Sequence, residues 1–352
     1  MSLISSNSKP VLRVVTTTRC NLQCHYCPPD NEDYPSSVVG KRVPRNIEWK
    51  KLSVLLDIAV ELGFDRVSLT GGEPLITKEP VEFLAEHSEN YPSLEWVLQT
   101  NGVYLSQYLD DLSSIRKLTL KIGLNVFSSY AFREMCGQDV FHNVLHATRE
   151  ARNKDIRVGI NIALTKDSLP FVPELIAFAR ETGCYLKFLD LNWYVDVGAR
   201  SIGMPVSDEY WAKQYVDPEK SLLPVLSAQG ITSFTLKHPR GFGIPVQDSP
   251  HEGEFFVRVK DSKRGTTYAE PCISCLHFIT RKCQEGVYEL TLTPDFRLKV
   301  CRHRPDIEYN VDPSLHENGD IEDTLKQVLS DFYNSVKHFN IPKDIINART
   351  KQ

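Results

Sequence analysis

Three cysteines within eight residues constrain this chain more than any other feature. The stretch "TTTRCNLQCHYCPPD", Thr16 to Asp30, sets Cys20, Cys24 and Cys27 in a C-x3-C-x2-C spacing just after the β-branched run "VLRVVTTT" at 11–18. Thiolates are soft ligands, suited to zinc, copper(I) or iron–sulfur centres. A structural zinc ion takes four tetrahedral ligands. The spare candidate, His25, sits on a short tether between Cys24 and Cys27, which makes wrapping the same ion awkward. A cubane cluster has four irons, each usually held by one cysteine. Three cysteines therefore leave one iron open to an outside ligand. On chemistry alone an open-iron cluster ranks ahead of zinc, and three unrelated buried thiols come last.

Beyond the first strand the chain repeats a pattern. "IEWKKLSVLLDIAVELG" (47–63) has apolar residues at helical spacing and stops at Gly63. "DRVSLTGGEP" (65–74) reads as a strand running into a glycine turn, before a helix over about 79–90. "EWVLQTNG" (95–102) and "KLTLKIGLNV" (117–126) read as strands. A helix over 139–154 leads to the strand "IRVGINIAL" (156–164), and a helix near 168–182 to "CYLKFLDLNW" (184–193). Six βα-like units predict a parallel sheet that binds ligands at the carboxyl ends of its strands. Six are too few for a closed eightfold barrel, so the expected fold is α/β, an open partial (β/α)6 TIM-like barrel over 1–200. The cysteines, Gly71-Gly72-Glu73-Pro74 and Thr100-Asn101-Gly102 all fall on the ligand-binding ends. Residues 201–352 are expected to form a small C-terminal metal-binding domain. Its core, "VYELTLTPDFRLKV", reads as a β-hairpin with a Pro-Asp turn, and a closing helix is expected near 320–338.

Composition narrows the function classes. A net charge of −4 argues against a general nucleic-acid binder. No run approaches the roughly 18 apolar residues of a membrane span, and the N-terminus lacks the apolar core of a signal peptide, so a cytoplasmic location is expected. Nine cysteines is an odd number, and seven fall into two clusters, which points to metal ligands rather than a disulfide framework. The second cluster is Cys272, Cys275, Cys283 and Cys301; Cys136 and Cys184 stand alone and read as small buried residues.

The C-x3-C-x2-C loop after the first strand, with GGEP after the second, resembles the radical S-adenosylmethionine (SAM) superfamily. The resemblance implies that Cys20, Cys24 and Cys27 hold a [4Fe–4S] cluster and that SAM chelates its open iron. Reductive cleavage then yields a 5′-deoxyadenosyl radical that abstracts a substrate hydrogen. It also implies that Gly71-Gly72 meets the methionine amino group, and that Glu73 is an acceptor there or a turn stabiliser. Tyr26 matches an aromatic position near the adenine. Thr100 and Asn125 match SAM-contacting strand ends, with Asn161 a further candidate. A flavodoxin or ferredoxin would be the reductant.

Within the superfamily, "LRVVTTTRCNLQCHYCPP", "VSLTGGEPLI", "LQTNG" and "RVGINIALTKD" are similar, in order, to the MoaA branch, the GTP 3′,8-cyclases. Arg13 matches a substrate-contacting arginine, and Arg66 and Lys187 fall at basic positions suited to phosphate or carboxylate. The branch carries an auxiliary [4Fe–4S] cluster on three cysteines in a SPASM/twitch-like domain. Here the spacing is C-x2-C-x7-C, then seventeen residues, then Cys301, giving four candidates. Iron–sulfur and zinc both suit that set, with His277 and His303 as neighbours. The arginine-rich segment and terminal diglycine of the GTP cyclases are not matched. The expected substrate is a small molecule or nucleotide; the alternative is a precursor peptide. Those maturases often carry an N-terminal recognition domain, for which a first strand near residue 11 leaves no room. A catalytically dead metal scaffold is the remaining alternative, and the intact motif pair argues against it.

Overall fold

The computed structural model describes residues 11–27, 45–191, 208–237, 246–249, 255–261, 272, 289–301, 308–316 and 318–333. Six strands run in parallel and pair in sequence order: β1 (Val11–Thr17), β2 (Arg66–Gly71), β3 (Glu95–Thr100), β4 (Leu118–Gly123), β5 (Arg157–Leu164) and β6 (Tyr185–Asp190). Between them lie α1 (Trp49–Glu61), α2 (Glu79–Asn90), α3 (Leu109–Ser113), α4 (Ser129–Cys136), α5 (Phe141–Asn153) and α6 (Val172–Thr182). The expected strand–helix alternation is present. Helix α4 is an addition to it, only eight residues long. It is capped by the Ser128 hydroxyl, which accepts from the Ala131 N–H, and ended by Gly137 at φ +81°.

The later segments extend the same sheet at both edges. Strands β7 (Thr235–Lys237), β8 (Val246–Asp248) and β9 (Val257–Lys260) attach through β9, which pairs in parallel with β6. Strands β10 (Glu289–Leu292), β11 (Arg297–Lys299) and β12 (Glu308–Asn310) attach through β10, which pairs in parallel with β1. The sheet order is β12-β11-β10-β1-β2-β3-β4-β5-β6-β9-β8-β7, so its two ends do not meet and the barrel is partial. The expected hairpin is β10–β11, with the Phe296 N–H donating to the Thr293 carbonyl across the Pro-Asp turn. The closing helix runs Asn318–Tyr333.

The two faces of the sheet differ sharply. In β4, Leu118, Leu120 and Ile122 are buried while Thr119, Lys121 and Gly123 are half-buried. In β5, Val158, Ile160, Ile162 and Leu164 join the core, leaving Gly159, Asn161 and Ala163 on the other side. In β6, Leu186 and Phe188 join the core, opposite Tyr185, Lys187 and Leu189. This period of two is dictated by the pleat. The core side packs against Leu52, Leu55 and Leu56 of α1, Leu84 of α2, Val144 of α5 and Ile176 of α6, each such side chain contributing roughly 1.5–3 kcal/mol on burial. The other side is the barrel lumen, and it is strongly polar.

Candidate active site

The cysteine loop leaves β1 and is pinned on two sides. The Gln23 N–H donates to the Cys136 carbonyl (3.0 Å) and the His25 N–H to the Met135 carbonyl (3.1 Å), so the end of α4 clamps the loop around Cys24. On the other side the Leu22 N–H and the Asn101 Nδ2 both reach the Cys20 Sγ, at 3.5 and 3.9 Å. Asn101 also holds Asn21 through its side-chain amide (2.7 Å). The TNG turn after β3 is thus part of the cysteine cradle.

The GGEP turn is locked onto the end of β1. Gly71 has φ +143°, and a Cβ there would lie 2.4 Å from the Thr17 carbonyl oxygen, so only glycine permits this approach. The Gly72 N–H then donates to the Thr17 carbonyl (2.7 Å) and the Glu73 N–H to the Arg19 carbonyl (2.8 Å). Glu73 is fully buried. Its carboxylate accepts from the Leu75 N–H (2.9 Å), the Thr100 hydroxyl (2.7 Å) and the Asn101 N–H (2.6 Å). Burial pushes its pKa up to about 7, against those three hydrogen bonds. Glu73 here binds the second and third strand ends together, and Thr100 is engaged in the same network.

Asn125, just beyond β4, ties the cysteine loop to β5. Its Nδ2 donates to the Tyr26 hydroxyl (2.6 Å) and its Oδ1 accepts from the Ala163 N–H (2.6 Å). Burial pushes the Tyr26 phenol well above its ordinary range. Asn161 lies beside this network with a buried Oδ1 that has no hydrogen-bond partner among the described residues. Its neighbour across the ladder, Gly123, leaves open space: a Cβ there would meet nothing nearer than the Thr100 carbonyl oxygen at 4.0 Å.

The lumen carries the cations. Arg13 is buried and pairs with Glu289 (3.2 Å), with Thr70 as second acceptor (3.4 Å). Arg66 pairs with Glu95 through both Nε (2.6 Å) and Nη2. Two of the three cations expected from sequence are therefore engaged internally. Lys187 is different, and so is Lys121, which has no sequence signal of its own because it looks like any lysine on an alternating strand. Neither ammonium has a hydrogen bond or ion pair to a described residue. Burial lowers Lys121 to about 8 and, helped by the positive charge of Lys121, holds Lys187 well below the usual lysine range. Asn161 pairs across the ladder with Lys187, and Gly159 with Lys121. The ring of Tyr185 covers Gly159, stacked on Phe256 at 4.6 Å.

Of the second cysteine cluster, Cys272 and Cys301 are half-buried thiols, Cys301 two residues beyond β11. Cys275, Cys283, His277 and His303, like the expected boundary at 200–201, lie outside the described residues. Among the described residues no three His, Cys, Asp or Glu side chains gather closely enough to grip one ion. A four-iron cluster asks instead for one thiolate per iron. The donor set of Cys20, Cys24 and Cys27 fits that group, and the orphaned Asn161 Oδ1 over the open space at Gly123 leaves room for a ligand on the strand ends.

Residues 14–173 match the radical SAM superfamily. The chain is 24% identical over 319 residues to the probable GTP 3′,8-cyclase of Sulfurisphaera tokodaii, covering 90% of this chain and 88% of that protein. It is 25% identical over 209 residues to the GTP 3′,8-cyclase of Nautilia profundicola, covering 58% and 64%. Among solved structures, Streptococcus suis SuiB bound to S-adenosylmethionine aligns with a TM-score of 0.61 at 15% identity, over 92% of this chain and 66% of that one. Native anSMEcpe with bound AdoMet aligns at 0.53 and 13% identity, over 94% and 84%. The chain thus spans somewhat under two thirds of the Nautilia and SuiB proteins. Residues 14–173 are thus a radical SAM domain, a family whose cofactors are a [4Fe–4S] cluster and SAM. Within that superfamily the chain is similar to the GTP 3′,8-cyclases.

Proposed function

We propose that this protein cleaves SAM reductively and abstracts a hydrogen atom from an anionic small molecule or nucleotide seated in the barrel lumen. Bound at Cys20, Cys24 and Cys27, a [4Fe–4S] cluster with SAM supplies a 5′-deoxyadenosyl radical. The chain's own residues do the rest. Gly71 and Gly72 bring backbone close to the strand ends where SAM would lie, and Asn161 offers an unused acceptor there. Glu73, Thr100 and Asn101 fix the loops, and Tyr26 and Asn125 brace the cysteine loop.

The observation that carries the substrate class is the Lys121–Lys187 pair. Two half-buried lysines side by side on the lumen face, with no ion pair to a described residue, leave positive charge that an anionic ligand can neutralise. A carboxylate or phosphate placed there would gain charge-assisted hydrogen bonds worth about 1.5–3 kcal/mol each. Arg13 and Arg66, held by Glu289 and Glu95, frame the site. The fold of SuiB, known in complex with its precursor peptide SuiA, keeps a peptide substrate as the second reading. Such a peptide would have to bring an acidic side chain to the same lysines. In this proposal Cys272, Cys275, Cys283 and Cys301 hold an auxiliary [4Fe–4S] cluster in the 201–352 region. The electron would come from a flavodoxin or ferredoxin in the cytoplasm. No helix among the described residues is long and apolar enough to cross a membrane.

Anaerobic reconstitution tests this directly. About eight irons per chain are expected for two clusters and about four for one, and zinc in place of iron would remove the auxiliary cluster. Reduced enzyme should release 5′-deoxyadenosine, and Cys24→Ala should abolish that release. Equilibrium binding of GTP and of pyrophosphate should weaken about tenfold or more in Lys187→Met, the loss of one charged hydrogen bond. Wild-type protein that binds neither probe would shift the substrate reading to peptide.

A further inference from the structure

Tyr185 opens β6 on the lumen face, and its ring reaches across to β5. A Cβ at Gly159 would stand 2.1 Å from the Tyr185 Cζ and 2.5 Å from its hydroxyl oxygen, so the phenol head occupies the place of a side chain that β5 lacks. A glycine inside a strand gives up packing and backbone entropy; here it admits the phenol. The ring is stacked on Phe256 at 4.6 Å, with the Arg157 and Arg258 guanidinium groups 5.7 and 6.0 Å from its centroid. Arg258 is itself anchored on the buried Asp248 carboxylate at 3.1 Å. The head is thus held in one place. Yet the hydroxyl makes no hydrogen bond to a described residue, although Tyr185 is only 5% exposed. A buried tyrosine normally finds a partner for its O–H.

The neighbours of this hydroxyl are unspent donors too. Gly159 pairs across the ladder with Lys121, and adjacent strands run about 4.8 Å apart, so the hydroxyl sits beside the stem of that lysine. Lys187 follows Tyr185 on the same face of β6. Neither ammonium has an ion pair to a described residue. Burial raises the phenol above its ordinary range, against the pull of the neighbouring arginines, so the hydroxyl keeps its hydrogen. A carboxylate or phosphate oxygen only accepts, and has lone pairs enough for all three groups.

We infer that Tyr185 is a substrate-binding residue whose hydroxyl donates to the same carboxylate or phosphate that Lys121 and Lys187 attract. The inference rests on the proposed reading of the lumen as an anion site. It adds direction to that site. A lysine ammonium is a point charge on a flexible stem, whereas an O–H on a stacked, immobile ring points one way and fixes where the anion sits against β5 and β6. No sequence signal marks Tyr185, which reads as one more aromatic residue on an alternating strand.

The test uses Tyr185→Phe, which keeps the ring and its stack and removes only the hydroxyl. Equilibrium binding of pyrophosphate and of GTP is measured on wild type and variant, with urea melts of both. Affinity for each probe that wild type binds should fall about tenfold, the loss of one hydrogen bond to a charged group. The unfolding midpoint should be unchanged or raised, because the hydroxyl has no partner to lose. Affinity within about twofold of wild type for both probes would overturn the inference; if Lys187→Met still weakens binding, the anion site itself stands. Weaker binding together with a lowered midpoint would overturn it as well, since that marks a structural residue. Wild-type protein that binds neither probe fails the anion reading and the inference with it.

Discussion

Gly71→Ala is the sharpest perturbation the site allows, because its cost comes from geometry. The new Cβ would sit 2.4 Å from the Thr17 carbonyl oxygen and 3.1 Å from its nitrogen, both backbone atoms of β1. No rotamer relieves a backbone clash. The turn or the end of β1 must move, and φ +143° is a region that alanine occupies only under strain, costing about 1–3 kcal/mol. The shift also breaks the hydrogen bonds from Gly72 N–H to Thr17 and from Glu73 N–H to Arg19, each worth about 1 kcal/mol net. The sum is about 3–5 kcal/mol, a large part of the roughly 5–15 kcal/mol typical of a folded domain. Urea denaturation of the metal-free protein reads the stability loss. Iron content after reconstitution reads the cysteine loop, which begins at Arg19-Cys20 and should bind poorly. A loss below about 1 kcal/mol, less than one net hydrogen bond, with full iron uptake, would refute the claim that this contact positions the loop.

Glu73→Gln should lose about 1–3 kcal/mol near neutral pH, because an amide NH2 would face the Asn101 N–H. It should also flatten a pH slope. The raised Glu73 pKa stabilises the protein below about 4.5, and that benefit disappears as pH rises through about 7, up to about 3 kcal/mol by linkage. Urea melts from about pH 4 to 8 would show an equal slope in both proteins if the assignment were wrong. Lys121 acts in the opposite direction and at higher pH: its pKa, lowered to about 8 from 10.5, makes stability rise between about pH 8 and 10.5 by at most about 3 kcal/mol, read by urea melts over that range. Lys121→Met should remove the rise and weaken pyrophosphate binding; a variant with unchanged slope and affinity would contradict this account of the lumen lysine. Gly159→Ala places a Cβ 2.1 Å from the Tyr185 ring, so the ring must leave its stack on Phe256. About 2–4 kcal/mol should be lost in thermal or urea unfolding through overpacking and lost stacking, and a wild-type melting curve would count against the ring's placement.

The strand–helix alternation is legible in residue order alone, since the pleat's period of two and the helix's near-four repeat are written in apolar spacing. So are the cysteine loop and the GGEP turn, because both are contiguous motifs. Helix α4 is not: eight residues with three buried side chains are too short for a period to declare itself. Which distant groups meet is settled only in three dimensions. The fold engages Arg13 and Arg66 with Glu289 and Glu95, and leaves Lys187 and Lys121 in the lumen with no ion pair to a described residue. It makes Glu73, a ligand acceptor or turn stabiliser on sequence grounds, a buried tie between two strand ends. It sets the Met135 and Cys136 carbonyls at the end of α4 against the His25 and Gln23 N–H groups that flank Cys24. The physical reason is the same in each case. Periodicity and motif are local along the chain, whereas a counter-ion, an acceptor or a sulfur contact is fixed by the parallel register of strands tens to hundreds of residues apart.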